Sequence, residues 1–216
     1  MPITAAKATK TDPRWAKTRE KLLAGGRQVF AEQGVEATSV LDIIRASGVS
    51  QPSFYNHFDS KDALAREIAA DFFRRDRRAK QAVFASVADP AVAIAINVQQ
   101  TLAIATDDPV VAWTLIKSAA LRELIISSET DPLVAMLQAG VQKQRFVLSS
   151  ARTTAIAIRG ATLALVQDIL NGNSDKSAVQ NFQSLVLGML GLSPKDSQQA
   201  IQQANQFLKK QQSILG

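Results

Sequence analysis

Cysteine is absent from this chain, and histidine and tyrosine occur once each. Without a thiol there are no disulfides, no thiolate metal ligands and no thiol redox sensor. A single histidine leaves little for acid–base or metal chemistry. No phosphate-binding glycine loop or metal-ligand spacing occurs, so a helical enzyme is the least supported class and no cofactor is expected. Long hydrophobic runs are missing as well: no unbroken apolar stretch is long enough to span a bilayer. Residues 1–12 are small, polar and lysine-containing, without the apolar segment of a signal peptide. Strand-like alternation is also lacking, and apolar residues recur at helical spacing throughout. These absences predict a soluble, cytoplasmic, all-α protein with no membrane partner.

What is present is unevenly distributed. The chain has 216 residues, 46% of them hydrophobic, enough for one large domain or two small ones with a real core. Its net charge of +6 is concentrated at one end: residues 1–80 carry a balance of +5 and residues 81–216 a balance of +1. A cationic first third joined to a nearly neutral remainder fits a part that meets polyphosphate and a part that does not, although ordinary surface charge would look similar.

Residues 38–62 decide between those readings. Gly34 is a natural end for a first helix over about 13–33, and Thr38 or Ser39 can cap the next helix. Gly48 supplies a sharp turn, Ser50 caps a short helix, and Pro52 falls in its first turn, where a missing N–H does little harm. Val40, Ile43, Ile44, Val49, Phe54 and Phe58 have the spacing to fix the two helices against each other. Gln51, Ser53, Tyr55, Asn56 and His57 are left to face outward. This is a helix-turn-helix whose second helix offers hydrogen bonds to base edges and phosphates without bulk. Ser60 caps a fourth helix to about residue 80. Lys61 at its start pairs a cation with a free backbone N–H. Gly25 and Gly26, inside the first helix, cost about 1 kcal/mol each relative to Ala and suggest close approach by another helix.

The stretch resembles the TetR (tetracycline-repressor-like) family of transcriptional regulators. The resemblance rests on Ala31-Glu32-Gln33-Gly34, Thr38 to Ile43, Gly48 to Ser50, Phe54 to Phe58 and Ser60-Lys61, and covers about residues 19–65. Departures from the family pattern are Gly25-Gly26, Ile44 and Ser47, where alanines are usual, and Pro52, where glycine is frequent. The resemblance implies that Thr38 and Ser39 touch phosphate, and that Gln51, Ser53 and Asn56, with Pro52 beside them, lie at the bases. It makes Tyr55, His57 and Lys61 backbone anchors. His57 could instead pack between helices, Tyr55 cap a local core, and Lys61 be a solvated charge. Lys7, Lys10, Arg14, Lys17 and Arg19 form a basic arm that either enters a minor groove or stays solvated. Arg74, Arg75, Arg77 and Arg78 fit the C-terminal end of the fourth helix.

The domain boundaries expected are 1–60 for the helix-turn-helix domain, about 60–80 for a connecting helix, and 81–216 for a second domain. Asp or Ser before Pro90, Pro109, Pro132 and Pro194 marks helix starts. Helices are expected near 89–106, 108–127, 131–148, 152–172, 175–191 and 193–211. The family resemblance implies that the last two major helices pair with their copies in a homodimer, with Ile158, Leu165, Phe182, Val186 and Met189 as contacts; an intrachain core is the alternative. It also implies a small-molecule effector pocket, for which Asn97, Thr101, Trp113, Arg122, Arg159 and Gln167 are candidates among apolar neighbours, although a residue like Trp113 is more often core than pocket. The functional expectation is a homodimeric repressor, released from a palindromic double-stranded DNA operator by a mainly apolar small molecule. The alternative is a constitutive or architectural DNA-binding protein whose second domain only dimerises or binds a protein.

Overall fold

The computed structural model describes residues 13–117, 132–175 and 177–215, without the side chains at 73, 77, 79, 212, 214 and 215. Every regular element among them is an α-helix, and the chain divides into two compact units, one ending at Phe72 and the other starting at Phe73.

The first unit is built from α1 (Pro13–Ala37), α2 (Val40–Ser47), α3 (Gln51–His57) and the first part of α4 (Lys61–Ser86). The run of α1 is broken at Gly34, which sits at φ 80°, a backbone region that side chains with a Cβ avoid. The regular helix therefore stops where the sequence predicts. Leu22, Val29 and Phe30 of α1 are buried with Ile43, Phe54, Phe58, Leu64 and Ile68, one small core shared by four helices. Both internal glycines of α1 mark close approaches. A Cβ at Gly25 would lie 2.7 Å from the Ser47 backbone nitrogen, and one at Gly26 would lie 2.5 Å from Leu64 Cδ2. Gly25 and Ser47 both depart from the family pattern, and they meet in space: without a Cβ, Gly25 lets α1 lie against the nitrogen, Cα and Cβ of Ser47.

The second unit contains the rest of α4, then α5 (Pro90–Asp107), α6 (Pro109–Lys117), α7 (Pro132–Gln142), α8 (Ala151–Leu170), α9 (Ala178–Met189) and α10 (Pro194–Leu215). Helix α5 is central. Its residues Ala91 to Ile96 are all buried, and it packs against α6, α7, α8, α9 and α10. A helix apolar all round belongs in the middle of a bundle. The expected prolines do open α5, α6, α7 and α10.

Two helix bounds differ most from expectation. Helix α4 continues past residue 80 to Ser86, so Arg74, Arg75 and Arg78 lie along its length and the end-of-helix dipole does not account for them. Helix α7 stops at Gln142 rather than 148. There Arg145 and Phe146 donate backbone N–H bonds to the Gly140 carbonyl, Gln144 sits at φ 54°, and the buried Phe146 ring folds back over Gly140. Arg145 also pairs with Asp89 through two 3.1 Å bonds. Burial of one ring and one ion pair outweighs the helix propensity of Lys143-Gln144-Arg145. Helix α8 is long and apolar enough to cross a membrane by length and composition, with a mean hydropathy of 1.2. Arg159 near its middle breaks the run, and only 22% of that segment is buried in its own chain.

Candidate nucleic-acid interface

The two reading helices are set by local chemistry. Ser39 caps α2: its hydroxyl accepts from the Asp42 N–H at 3.2 Å, and the Asp42 carboxylate accepts from the Ser39 N–H at 2.9 Å. These reciprocal bonds form a capping box. Hydrogen bonds from Ser39 hold the Asp42 carboxyl below its ordinary pKa. At its other end α2 closes on Gly48 at φ 63°, whose N–H donates to the Ile44 carbonyl. Ser50 then caps α3 by accepting from the Ser53 N–H. Phe54 and Phe58 point inward and are buried, which turns the rest of α3 outward.

That outward face carries Gln51, Pro52, Tyr55 and Asn56, all exposed, with Ser53 half-buried beside them. Tyr55 is 50% exposed and rests edge-on against Phe54, with ring centroids 5.3 Å apart. Its ring stands on the core while its hydroxyl is outside. Ser39 is exposed at the start of α2, and Leu41 and Arg45 stand exposed further along the same helix. Leu41 was not signalled by the sequence, because its apolar character reads as core.

Three of the expected contact residues face inward instead. Thr38 is 1% exposed; its hydroxyl donates to the Gly34 carbonyl at 2.7 Å and accepts from Gln33 Nε2. With the hydroxyl spent inside the fold, Thr38 shapes the turn and presents nothing to a phosphate. His57 is half-buried and stacks on Trp15, with ring centroids 4.4 Å apart, so the packing alternative holds. Burial, and then the Arg19 guanidinium, lower its pKa below the ordinary 6.5, and its buried Nδ1 has no hydrogen-bond partner. Arg19 lies over both the Trp15 and Phe58 rings and pairs with Glu67 at 3.4 Å. Trp15 is thus a clamp on α3 that sequence reasoning missed; its spacing from Arg19 on α1 was the available signal. Lys61 donates its ammonium to the Glu36 carbonyl at 2.7 Å and the Thr38 carbonyl at 2.8 Å, so its charge is engaged by the chain's own backbone. Of the basic arm, Lys7 and Lys10 lie outside the described residues.

In the second unit the candidate pocket residues are dispersed. Thr101 donates to the Asn97 carbonyl and accepts from Lys80 Nζ at 2.9 Å, while Lys80 also pairs with Asp76 at 2.8 Å. Trp113 lies under the Lys117 ammonium. Arg159 is half-buried, Gln167 is exposed on α8, and Arg122 lies outside the described residues. An open surface hollow of about 440 Å³ is lined by Gln138, Val141, Gln142, Leu148, Ser149 and Ala151, none of them among the six. Of the expected dimer contacts, Ile158, Phe182 and Val186 are buried inside their own chain. The faces left open lie one position around the helices. They comprise Ile156, Gly160 and Ala164 on α8 and Leu185, Gly188 and Met189 on α9, with Leu165 half-exposed. Large apolar side chains occupy both faces of these helices, and spacing does not say which face turns inward.

Two family models match the chain. One, "Bacterial regulatory proteins, tetR family", covers residues 22–68, the reading unit. The other, "Tetracyclin repressor-like, C-terminal domain", covers residues 89–203. The transcriptional repressor DhaR of Mycobacterium sp. (strain GP1) is 44% identical over 55 residues, 26% of this chain and 28% of DhaR. The repressor KstR2 of Mycolicibacterium smegmatis is 37% identical over 65 residues, 30% of this chain and 32% of KstR2. The aligned part thus spans about a third of these relatives' length or less. The structure of RolR in complex with resorcinol superimposes with a TM-score of 0.71 at 20% identity, covering 87% of this chain and 94% of RolR. Capped reading helices, an outward polar face on α3 and a separate helical bundle thus coincide with both family models. The chain belongs to the tetR family of bacterial DNA-binding transcriptional regulators.

Proposed function

We propose that the protein is a homodimeric repressor that holds a palindromic operator with two copies of α3 and is released by a mainly apolar small molecule. The observation that carries this reading is the division of α3 and its C-cap into a buried side, Phe54 and Phe58, and an open side, Gln51, Tyr55 and Asn56. In this reading Gln51, Ser53 and Asn56 contact bases, with Pro52 beside them, while Ser39 and Tyr55 contact phosphates. One such helix reads only a half-site, so a twofold protein suits half-sites about 34 Å apart or a multiple of that. The open apolar faces of α8 and α9 support a second copy as the partner, because a lone surface helix with two apolar faces leaves one of them in water. The family membership and the resorcinol held by RolR support a small effector in the second unit. A ligand preferring a dimer of different half-site spacing would weaken operator binding through a coupling of about 1–3 kcal/mol.

The test is selection of duplexes from a randomised library by the full-length protein, followed by anisotropy titrations. A palindromic consensus, with affinity falling steeply as salt rises, is expected. Asn56→Ala should blur preference at one base position in each half-site at a cost of about 1–3 kcal/mol. A flat salt response and an unenriched library would overturn the reading. Selected duplexes that no compound in a thermal-shift panel releases would point to a constitutive binder instead.

A further inference from the structure

The Lys61 ammonium closes the helix-turn-helix into a ring. The first element is the break at Gly34, after which the carbonyls of Glu36 and Thr38 have left the regular ladder of α1. Carbonyls at such an end need donors from elsewhere. Lys61 Nζ supplies them at 2.7 and 2.8 Å, from 25 and 23 residues further along the chain. The acceptors lie immediately before Ser39, the cap of α2, and the donor stands at the start of α4, just after α3. Between Thr38 and Lys61 run α2, the Gly48 turn and α3. The pair of reading helices is therefore pinned at both of its ends: covalently at Gly48, and through Lys61 across the opposite opening. The Thr38 side chain holds the acceptor end, donating to Gly34 and accepting from Gln33, and Gln33 also reaches the Asp42 carboxylate of the α2 capping box.

Resting on the reading of this unit as a DNA binder, we propose that Lys61 is a positioning residue for operator recognition: by tying the α1–α2 connection to the start of α4, it fixes the angle at which α2 and α3 meet the duplex. Sequence-specific binding requires the start of α2 on a phosphate and the face of α3 on base edges at the same time, so it depends on that angle. Binding to arbitrary DNA rests on charge and tolerates a wider range of helix angles.

The experiment compares the parent protein with Lys61→Met, which keeps the aliphatic stem and removes all three donors. The probes are a duplex selected by the parent from a randomised library and a scrambled duplex of the same length and composition, titrated across salt concentrations at low temperature. Positioning predicts that affinity for the selected duplex falls about tenfold while affinity for the scrambled duplex and the salt slope stay at parental values. A direct phosphate contact predicts a slope reduced by about 0.9 and a loss shared by both duplexes, which would overturn the proposal. A purely structural role predicts a lower Tm with neither affinity changed, which would also overturn it. If Lys61→Met does not fold, the parent decides by NMR of its lysine ammonium groups. A slowly exchanging Lys61 signal in the free protein, undisturbed by the selected duplex, supports the proposal; a signal arising only when duplex is added refutes it. Failure of the parent to enrich any duplex would instead remove the DNA-binding reading, and the proposal with it.

Discussion

The two units handle polar groups and surfaces in different ways. In the first, hydroxyls, carboxylates and the Lys61 ammonium are bound to backbone at helix ends, so short helices are placed by directional bonds around a small core. In the second, helices of up to 22 residues are held mainly by apolar contact around α5, and two of them keep apolar side chains open. Directional bonds fix a geometry that a rigid duplex can read. Apolar contacts impose no such geometry, because hydrophobic burial is not directional.

That contrast can be broken at several points. The largest effect is expected at the open face of the second unit. Ile156→Asp combined with Leu185→Arg should convert a dimer to a monomer and lower operator affinity at least about a hundredfold through lost avidity. Light scattering would report the mass and anisotropy the affinity; an unchanged mass would locate the interface elsewhere. Next is the close approach in the first unit. Gly25→Ala improves helix propensity yet places a Cβ 2.7 Å from the Ser47 nitrogen, so stability should fall by about 2 kcal/mol, read from denaturant melts. A gain in stability would mean that α1 and α2 separate readily.

A smaller effect is expected at Asp89, which caps α5 through the Ala91 N–H and receives Arg145. Asp89→Ala should cost the second unit about 1 kcal/mol, since the ion pair is partly solvated and the cap supplies most of the loss. The smallest concerns pH. His57 has a folded pKa below 6.5, so the unfolded chain takes up a proton first as pH falls. Its contribution is present above 6.5 and is lost as pH drops through that value toward the folded pKa. The Tm of the parent should thus decline between pH 7 and 5.5 more than that of His57→Phe. Equal declines would place the titration elsewhere.

Much of the first unit was legible because its signals are particular residue types at particular places. Gly34, Gly48, Ser39, Ser50 and Pro52 each specify a helix end, and Phe54 with Phe58 orients α3. What escaped reading was direction over a distance. Nothing local says that Lys61 turns back toward Glu36 and Thr38, that Thr38 is buried, or that Trp15 reaches His57 from 42 positions earlier in the numbering. In the second unit, helix starts were legible from Asp-Pro and Ser-Pro pairs, whereas the inward faces of α8 and α9 were not. Ile156 and Ile158 on α8, or Leu185 and Val186 on α9, are near-equivalent in hydrophobicity, and only the packed bundle chooses between them. The early end of α7 has the same origin, since the burial of Phe146 is a tertiary event.

The contact between Gly25 and Ser47 has a consequence for anyone exchanging parts among related repressors. Transplanting α2 and α3 to change target sequence would carry position 47 but leave position 25 behind. The atoms of Ser47 nearest a Cβ at position 25 are its nitrogen, Cα and Cβ, which an alanine carries too, so a host alanine at position 25 would push the incoming α2 outward whichever of the two stands at 47. Successful chimeras should therefore carry Gly25 along with α2 and α3, even though it stands on α1 and not on either of them.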